Sequence, residues 1–313
     1  MDPRVIIDFA RIKPLMAWSM AESAIGLGLA LYLTNWHIVA WLPTALAILA
    51  VVLIQWVAHP LNDIMDYDLD RQAPIESTAR IKPIVDGRIT MNETKWLTRA
   101  LLLLILVIMI YLIAFQPVLV LPAAFGVGAM LGYSSKRLRL AYHPYSEFYL
   151  AVPINAIAIT VVAYVGSGQL TWFTVLIGVV FGFAAGSFFL SMMSMDFPTD
   201  RLNGKMTTVV SYPRLRTCTY YPVAGLVIAL AAGPFLIGAL GPLLTVAYAG
   251  LTTLVFAGLI YYGRKVDDLR LSFLDGKVSD PEGRSGPLRL GQLYIATAYG
   301  FVLGAMFALV GVV

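Results

Sequence analysis

The feature that most constrains this chain is a succession of long apolar runs, about nine of them, near residues 15–34, 39–60, 97–115, 117–134, 148–166, 171–194, 220–239, 242–262 and 291–312. About 20 consecutive apolar residues carry a helix across the hydrocarbon core of a bilayer. Within that core each backbone polar group must find its partner in the same segment, which favours helices. The stretches 97–134 and 220–262 are divided by Gln116-Pro117 and Gly241-Pro242, where a turn fits better than continuous helix. Only 13% of the residues are charged, about half the share of a soluble domain. The expected fold is a single all-α integral membrane domain over residues 1–313.

Charge placement tests that reading independently. All 22 Lys and Arg fall within residues 1–14, 61–99, 135–146, 196–219 and 263–290. These are the N-terminal segment and the connections after the second, fourth, sixth and eighth runs. Positive charge is retained on the cytoplasmic side, so the N-terminus and these connections are expected there, in the cell membrane, with Val313 outside. The formal net charge of +4 then points to lipid headgroups or phosphate substrates rather than nucleic acid. Cys218 is the single cysteine and lies on the side where thiols stay reduced. The first 30 residues lack the features of a cleaved leader. Residues 1–14 read as a cytoplasmic or interfacial segment, and 263–290 as a polar cytoplasmic loop.

Two acidic clusters close runs on that side. The first is Asn62-Asp63-Ile64-Met65-Asp66-Tyr67-Asp68-Leu69-Asp70. At about 100° per residue, Asp63, Asp66 and Asp70 fall within roughly 60° of one another on a helix. Asn62 borders the stripe, and Asp68 points elsewhere. Carboxylates so gathered repel unless a cation lies among them, and hard ions such as Mg²⁺ prefer oxygen ligands shared with substrate phosphates. The second cluster is Asp196-Phe197-Pro198-Thr199-Asp200-Arg201-Leu202-Asn203-Gly204-Lys205, with Asp196 and Asp200 four apart. Both clusters end even-numbered runs, so they are expected to face each other across a central cavity opening near the cytoplasmic face. Tyr133 and Lys136, three apart after the fourth run, can share a helical face beside Arg137.

Asn62-Asp63-x-x-Asp66-x-x-x-Asp70, Tyr133-x-x-Lys136-Arg137 and Asp196-x-x-x-Asp200-x-x-x-Gly204-Lys205-x-Thr207 together resemble the motifs of the UbiA superfamily of intramembrane prenyltransferases, in order and in membrane position. Lys82-Pro83-Ile84-Val85-Asp86-Gly87-Arg88 is similar to that family's Arg-Pro-Ile-Pro-Ser-Gly loop, with Lys for Arg and Val-Asp for Pro-Ser. The resemblance implies nine helices and transfer of a polyprenyl group from a diphosphate to an acceptor. It implies two Mg²⁺ ions held by Asp63, Asp66, Asp70, Asp196 and Asp200, with Asn62 assisting. Lys136, with Arg137 or Lys82, would stabilise the leaving diphosphate. The implied acceptor is an aromatic quinone precursor such as dihydroxynaphthoate, or else a prenylated glycerol phosphate lipid.

Glu22 is the one acidic residue well inside a run. Intramembrane carboxylates usually face a cavity or a partner, so Glu22 is expected either to orient the acceptor or accept a proton, or to be neutral and hydrogen-bonded between helices. Asn155 invites the same reading. An ion-coupled carrier is the rival class, but a carrier places ionisable groups near the midplane, whereas here nearly all lie at one face.

Overall fold

The apolar runs become helices, and the turns fall where Pro and Gly interrupt them. A computed structural model describes residues 12–72, 83–135, 137–278 and 281–311, and no strand occurs among them. The long helices are α1 (Ile12–Thr34), α2 (Trp41–Met65), α4 (Met91–Phe115), α5 (Val120–Ser134), α6 (Val152–Ser167), α7 (Trp172–Met195), α10 (Thr217–Leu240), α11 (Pro242–Leu274) and α12 (Pro281–Val310). Three short helices lie in the connections between long ones: α3 (Tyr67–Gln72), α8 (Phe197–Leu202) and α9 (Thr208–Ser211). A capping box starts α4, with Glu93 N–H on Thr90 Oγ1 and Thr90 N–H on Glu93 Oε2. Gly241, at φ 76°, makes the turn between α10 and α11 in the left-handed region.

Among the described residues seven helices are long and apolar enough to cross a membrane. The other two apolar runs are helical as well, one as the 23-residue α1 and one as the shorter stretch Pro117–Tyr133. The segment 263–290, expected as a loop, is mostly helix, because α11 runs on to Leu274 and α12 starts at Pro281. The reason is a contact that composition does not reveal. Asp267 and Arg270 pair at 2.9 Å with almost no exposure, and they bind the start of α10. That packing holds the extension of α11 against its neighbour.

Buried side chains form two main clusters. One joins α1, α6, α7, α10, α11 and α12, and the other joins α2, α4 and α5 with the adjoining face of α6. We refer to these as the body and the wing. α7 lies within the body, and 72% of its apolar window is buried, against 22% for α4 in the wing. The body is drawn together by small residues that allow backbones to touch. A Cβ on Gly28 would overlap the Gly304 carbonyl, and one on Gly263 would overlap the Cys218 carbonyl. Gly300 meets Ala21, Gly304 meets Ala24, and Gly311 meets Leu31. These contacts advance together along both helices, so α1 and α12 run parallel.

Candidate functional site

Each acidic cluster is built by the same local device. α2 stops at Met65, Asp66 bends the chain at φ −95° and ψ 5° with its N–H on Asn62 O, and the six-residue α3 follows. α7 stops at Met195, Asp196 bends the chain at φ −74° and ψ −3° with its N–H on Met192 O, and the six-residue α8 follows. Asp70 and Asp200 then stand four residues past the bend, on α3 and α8. The continuous helical face expected through Asp63, Asp66 and Asp70 is thus interrupted at Asp66. In the second cluster Pro198 favours the break upstream, since its ring clashes with the carbonyl four residues earlier in a continuing helix.

The second motif explains itself locally. α8 ends in a Schellman turn, with Gly204 at φ 67° and Lys205 N–H on Asp200 O at 2.8 Å. The turn folds Lys205 back so that its Nζ lies 3.4 Å from Asp200 Oδ1. Thr207 then caps α9, accepting from Val210 N–H. Thr208 donates to the buried Glu147 at 2.8 Å and accepts from Tyr145 N–H, which ties α9 to the turn before α6. The Pro83–Arg88 loop closes on itself through Arg88 N–H to Pro83 O. Its Ile84 and the following Ile89 pack with Tyr67 of α3, so the loop lies beside the first cluster.

Two residues link the clusters. The Tyr142 hydroxyl donates to Asp66 Oδ1 at 3.2 Å, and Lys205 Nζ lies 5.6 Å from the Tyr142 ring centroid. The path runs Asp66, Tyr142, Lys205, Asp200. Burial pushes the Tyr142 hydroxyl up to about 12, helped by the Asp66 charge, so it remains a donor throughout the physiological range. Arg139 lies over the other part of this arrangement, 5.2 Å from the same ring. It adopts a left-handed backbone, φ 45° and ψ 44°, an uncommon conformation for a residue with a Cβ that is often held at functional sites.

The expected site residues are placed as follows. Asp63 and Asp200 are buried, at 2% and 6% exposure, while Asn62, Asp66 and Asp196 are half-buried. Tyr133 lies in the last turn of α5 with its ring 6.3 Å from that of Phe189. Arg137 is exposed in the turn after α5. Lys82 and Lys136 lie outside the described residues, as does the side chain of Asp70. Among the described residues no three His, Cys, Asp or Glu side chains converge tightly enough to enclose a metal. The side chains at the two bends, Asn62, Asp63, Asp66, Asp196 and Asp200, all offer oxygen donors, the chemistry that suits Mg²⁺.

Deeper in the bundle Glu22 is fully buried. The Trp18 indole N–H donates to Glu22 Oε1 at 2.8 Å and to Asn155 Oδ1 at 3.0 Å. Gln55 Nε2 donates to Glu22 Oε2. Gln55 also lines an apolar cavity of about 90 Å³ between α2, α4, α5 and α6, walled by Ala50, Ile54, Leu112, Ala123 and Ile157 among others. Sequence reading missed both Gln55 and Tyr142. Gln55 could have been found, since residues 55, 59, 62 and 66 repeat at four, three and four along one face of α2. Tyr142 carries no such signal.

Comparison with known proteins fits this geometry. A family model described as the UbiA prenyltransferase family matches residues 12–274. No curated protein matches the chain. Among solved structures, a UbiA homolog from Archaeoglobus fulgidus bound to GPP and Mg²⁺ superposes with a TM-score of 0.57 at 19% identity, over 96% of this chain and 99% of that one. The same homolog bound to DMAPP and Mg²⁺ gives 0.55 at 18% identity, over 96% and 98%. The apo structure of a UbiA homolog from Aeropyrum pernix K1 gives 0.53 at 20% identity, over 91% and 97%. At these identities the solved structures establish the fold.

Proposed function

This chain belongs to the UbiA prenyltransferase family, and from that premise we propose that it moves a polyprenyl group from an isoprenyl diphosphate to a membrane-associated acceptor at the two acidic bends. The observation that carries the proposal is the pair of matching helix–aspartate–helix devices, joined through Tyr142 and Lys205. Asp63, Asp66 and Asp70, with Asn62, would hold one Mg²⁺, and Asp196 and Asp200 a second. When bound, the metal ions supply positive charge to the leaving diphosphate. The chain's own residues do the rest. Lys205 is held at the second cluster and can swing from Asp200 to a phosphate oxygen. Lys136, Arg137 and Lys82 are proposed as further diphosphate contacts. Tyr142 orients Asp66 through its hydroxyl. The apolar cavity beyond Gln55 receives the isoprenoid tail and keeps water from the allylic carbon as it gains cation character.

For the acceptor, the Gly204-Lys205-Met206-Thr207 turn favours an aromatic quinone precursor such as dihydroxynaphthoate. Glu22 supports a second reading, a prenylated glycerol phosphate of the kind used in lipid synthesis, because a buried carboxylate suits an alcohol donor. We further propose nine crossings, with the N-terminus and acidic bends cytoplasmic. The parallel α1–α12 seam supports an odd number, since helices running the same way must be separated by an odd number of others. Cysteine placed at Gly241 is then labelled from outside the cell, and labelling only from the cytoplasm would reverse the topology.

The deciding experiment is diphosphate release from geranylgeranyl diphosphate by purified protein, with and without Mg²⁺, over dihydroxynaphthoate, hydroxybenzoate and geranylgeranylglyceryl phosphate. Magnesium-dependent product with one acceptor establishes the reaction and its branch. Absence of diphosphate binding refutes the proposal and leaves the carrier reading.

A further inference from the structure

A carboxylate in the bilayer interior is costly to bury unless its oxygens are partnered. Glu22 receives one N–H on each oxygen, from Trp18 and from Gln55, the partners that an ionised carboxylate needs. The two donors are not equivalent. Trp18 is held in place, since its N–H also reaches Asn155 Oδ1 and its ring lies 5.8 Å from that of Phe188. Asn155 is in turn fixed by donating to Ala151 O at 2.5 Å. Gln55 is different, because it is half-buried and borders the cavity. It is a neutral amide on a flexible stem, so another donor arriving from the cavity can replace it on Oε2.

The position of Gln55 gives this replacement a meaning. It shares a face of α2 with Asn62 and Asp66, and seven residues of helix place it about 10 Å deeper than Asn62. A diphosphate at the acidic bends would hold its allylic carbon, one C–O bond away, between those bends and Gln55. The cavity lining there carries no basic residue among those described, so nothing in it offers a partner to an acceptor's carboxylate.

Resting on the prenyl-transfer reading above, we infer that Glu22 and Gln55 form the acceptor's hydroxyl subsite: an alcohol or phenol displaces the Gln55 amide, donates to Glu22 Oε2, and gives Glu22 its proton during transfer. The C1–O bond of the donor breaks and its electron pair leaves with the diphosphate. The pair left by the departing O–H proton makes the new bond to C1. The bond forms at oxygen for an alcohol; for a phenol it forms at a ring carbon to give a dienone, whose C–H proton passes to the departing diphosphate while Glu22 returns its proton to the oxygen, restoring the aromatic phenol. Any carboxylate on the acceptor lies away from Glu22, toward the cytoplasmic face.

The test compares wild type, Glu22→Gln and Gln55→Leu, using a series of phenols of falling pKa with an aliphatic alcohol at one end, and measures donor binding separately. Glu22→Gln is expected to lower kcat about 100-fold with the alcohol, within the range for loss of a general base. The deficit should shrink toward unity with phenols already ionised in solution, while donor Kd stays unchanged. Gln55→Leu, which faces the cavity and threatens folding less, removes the donor that the acceptor must displace from Oε2, so it is expected to lower the alcohol's KM about tenfold without altering donor Kd. A deficit of equal size for every acceptor, or none, overturns the inference and leaves prenyl transfer standing. A wild-type protein that binds no prenyl diphosphate overturns both.

Discussion

The two acidic bends are alike in backbone but stand on unlike supports. The second hangs from α7, whose apolar window is 72% buried inside the six-helix body. The first hangs from α2, in a wing whose outer helix α4 turns Leu103, Leu106, Val107 and Ile110 outward and whose interior contains the cavity. In the body, glycines bring backbones into contact. In the wing, a Cβ added to Gly128 would meet nothing within 4 Å. The contrast assigns different tasks to the halves. A close-packed body holds one cluster in place, and a looser wing leaves room for a flexible chain beside the other.

If both clusters take part in one step despite this difference, Asp66→Ala and Asp196→Ala should each reduce turnover by at least about 10²–10³-fold, as removal of a principal electrostatic group does. Size-exclusion profiles should remain those of wild type. Loss in only one variant would break the comparison at its centre. Next in size is Arg270→Met in the body, which strands the buried Asp267. It should cost about 3–5 kcal/mol of stability, read by thermal melting in detergent.

Glycine substitutions sharpen the contrast in packing. Gly28→Leu should destabilise by about 1–3 kcal/mol through overpacking against Gly304, whereas Gly128→Leu should stay within about 0.5 kcal/mol. Equal effects would mean that wing and body are packed alike. A smaller and more selective effect is expected of Ala50→Leu, which fills the cavity. The ratio of kcat/KM for geranylgeranyl over geranyl diphosphate should fall about tenfold. The smallest is Tyr142→Phe, which removes one hydrogen bond to Asp66, worth about 1 kcal/mol, and should weaken Mg²⁺ activation about fivefold. Because the Tyr142 hydroxyl is pushed up to about 12, that deficit should be the same from pH 6 to pH 9.

The helices were readable from sequence because burial in lipid writes itself as uninterrupted apolar runs, and α2, α7 and α10 follow those runs closely. The clusters were readable because Asp66 and Asp196 lie at the ends of equivalent helices with carboxylates four residues beyond. What escaped is what depends on contact between distant segments. Nothing local to Leu138–His143 says that Tyr142 will reach Asp66, 76 residues away. Gln55 looks like an ordinary polar residue until Glu22, 33 residues earlier, is placed against it. The Asp267–Arg270 pair reads as a solvated charge run, because its partners Thr217, Thr219 and Ser194 come from two other helices. Polar residues matched across helices leave no periodic trace.

The seam between α1 and α12 bears on how the protein is made. The two helices that meet at Gly28 and Gly304 are separated by almost the whole chain. At synthesis rates of about 5–20 residues per second, α1 waits roughly 15–50 s before its partner leaves the ribosome. During that interval its small-residue stripe faces lipid, or whatever the insertion machinery sets against it. Closure of the body is therefore a late event in biogenesis, and a bulky residue in the stripe would act first as a fault of assembly and only afterwards as a fault of chemistry.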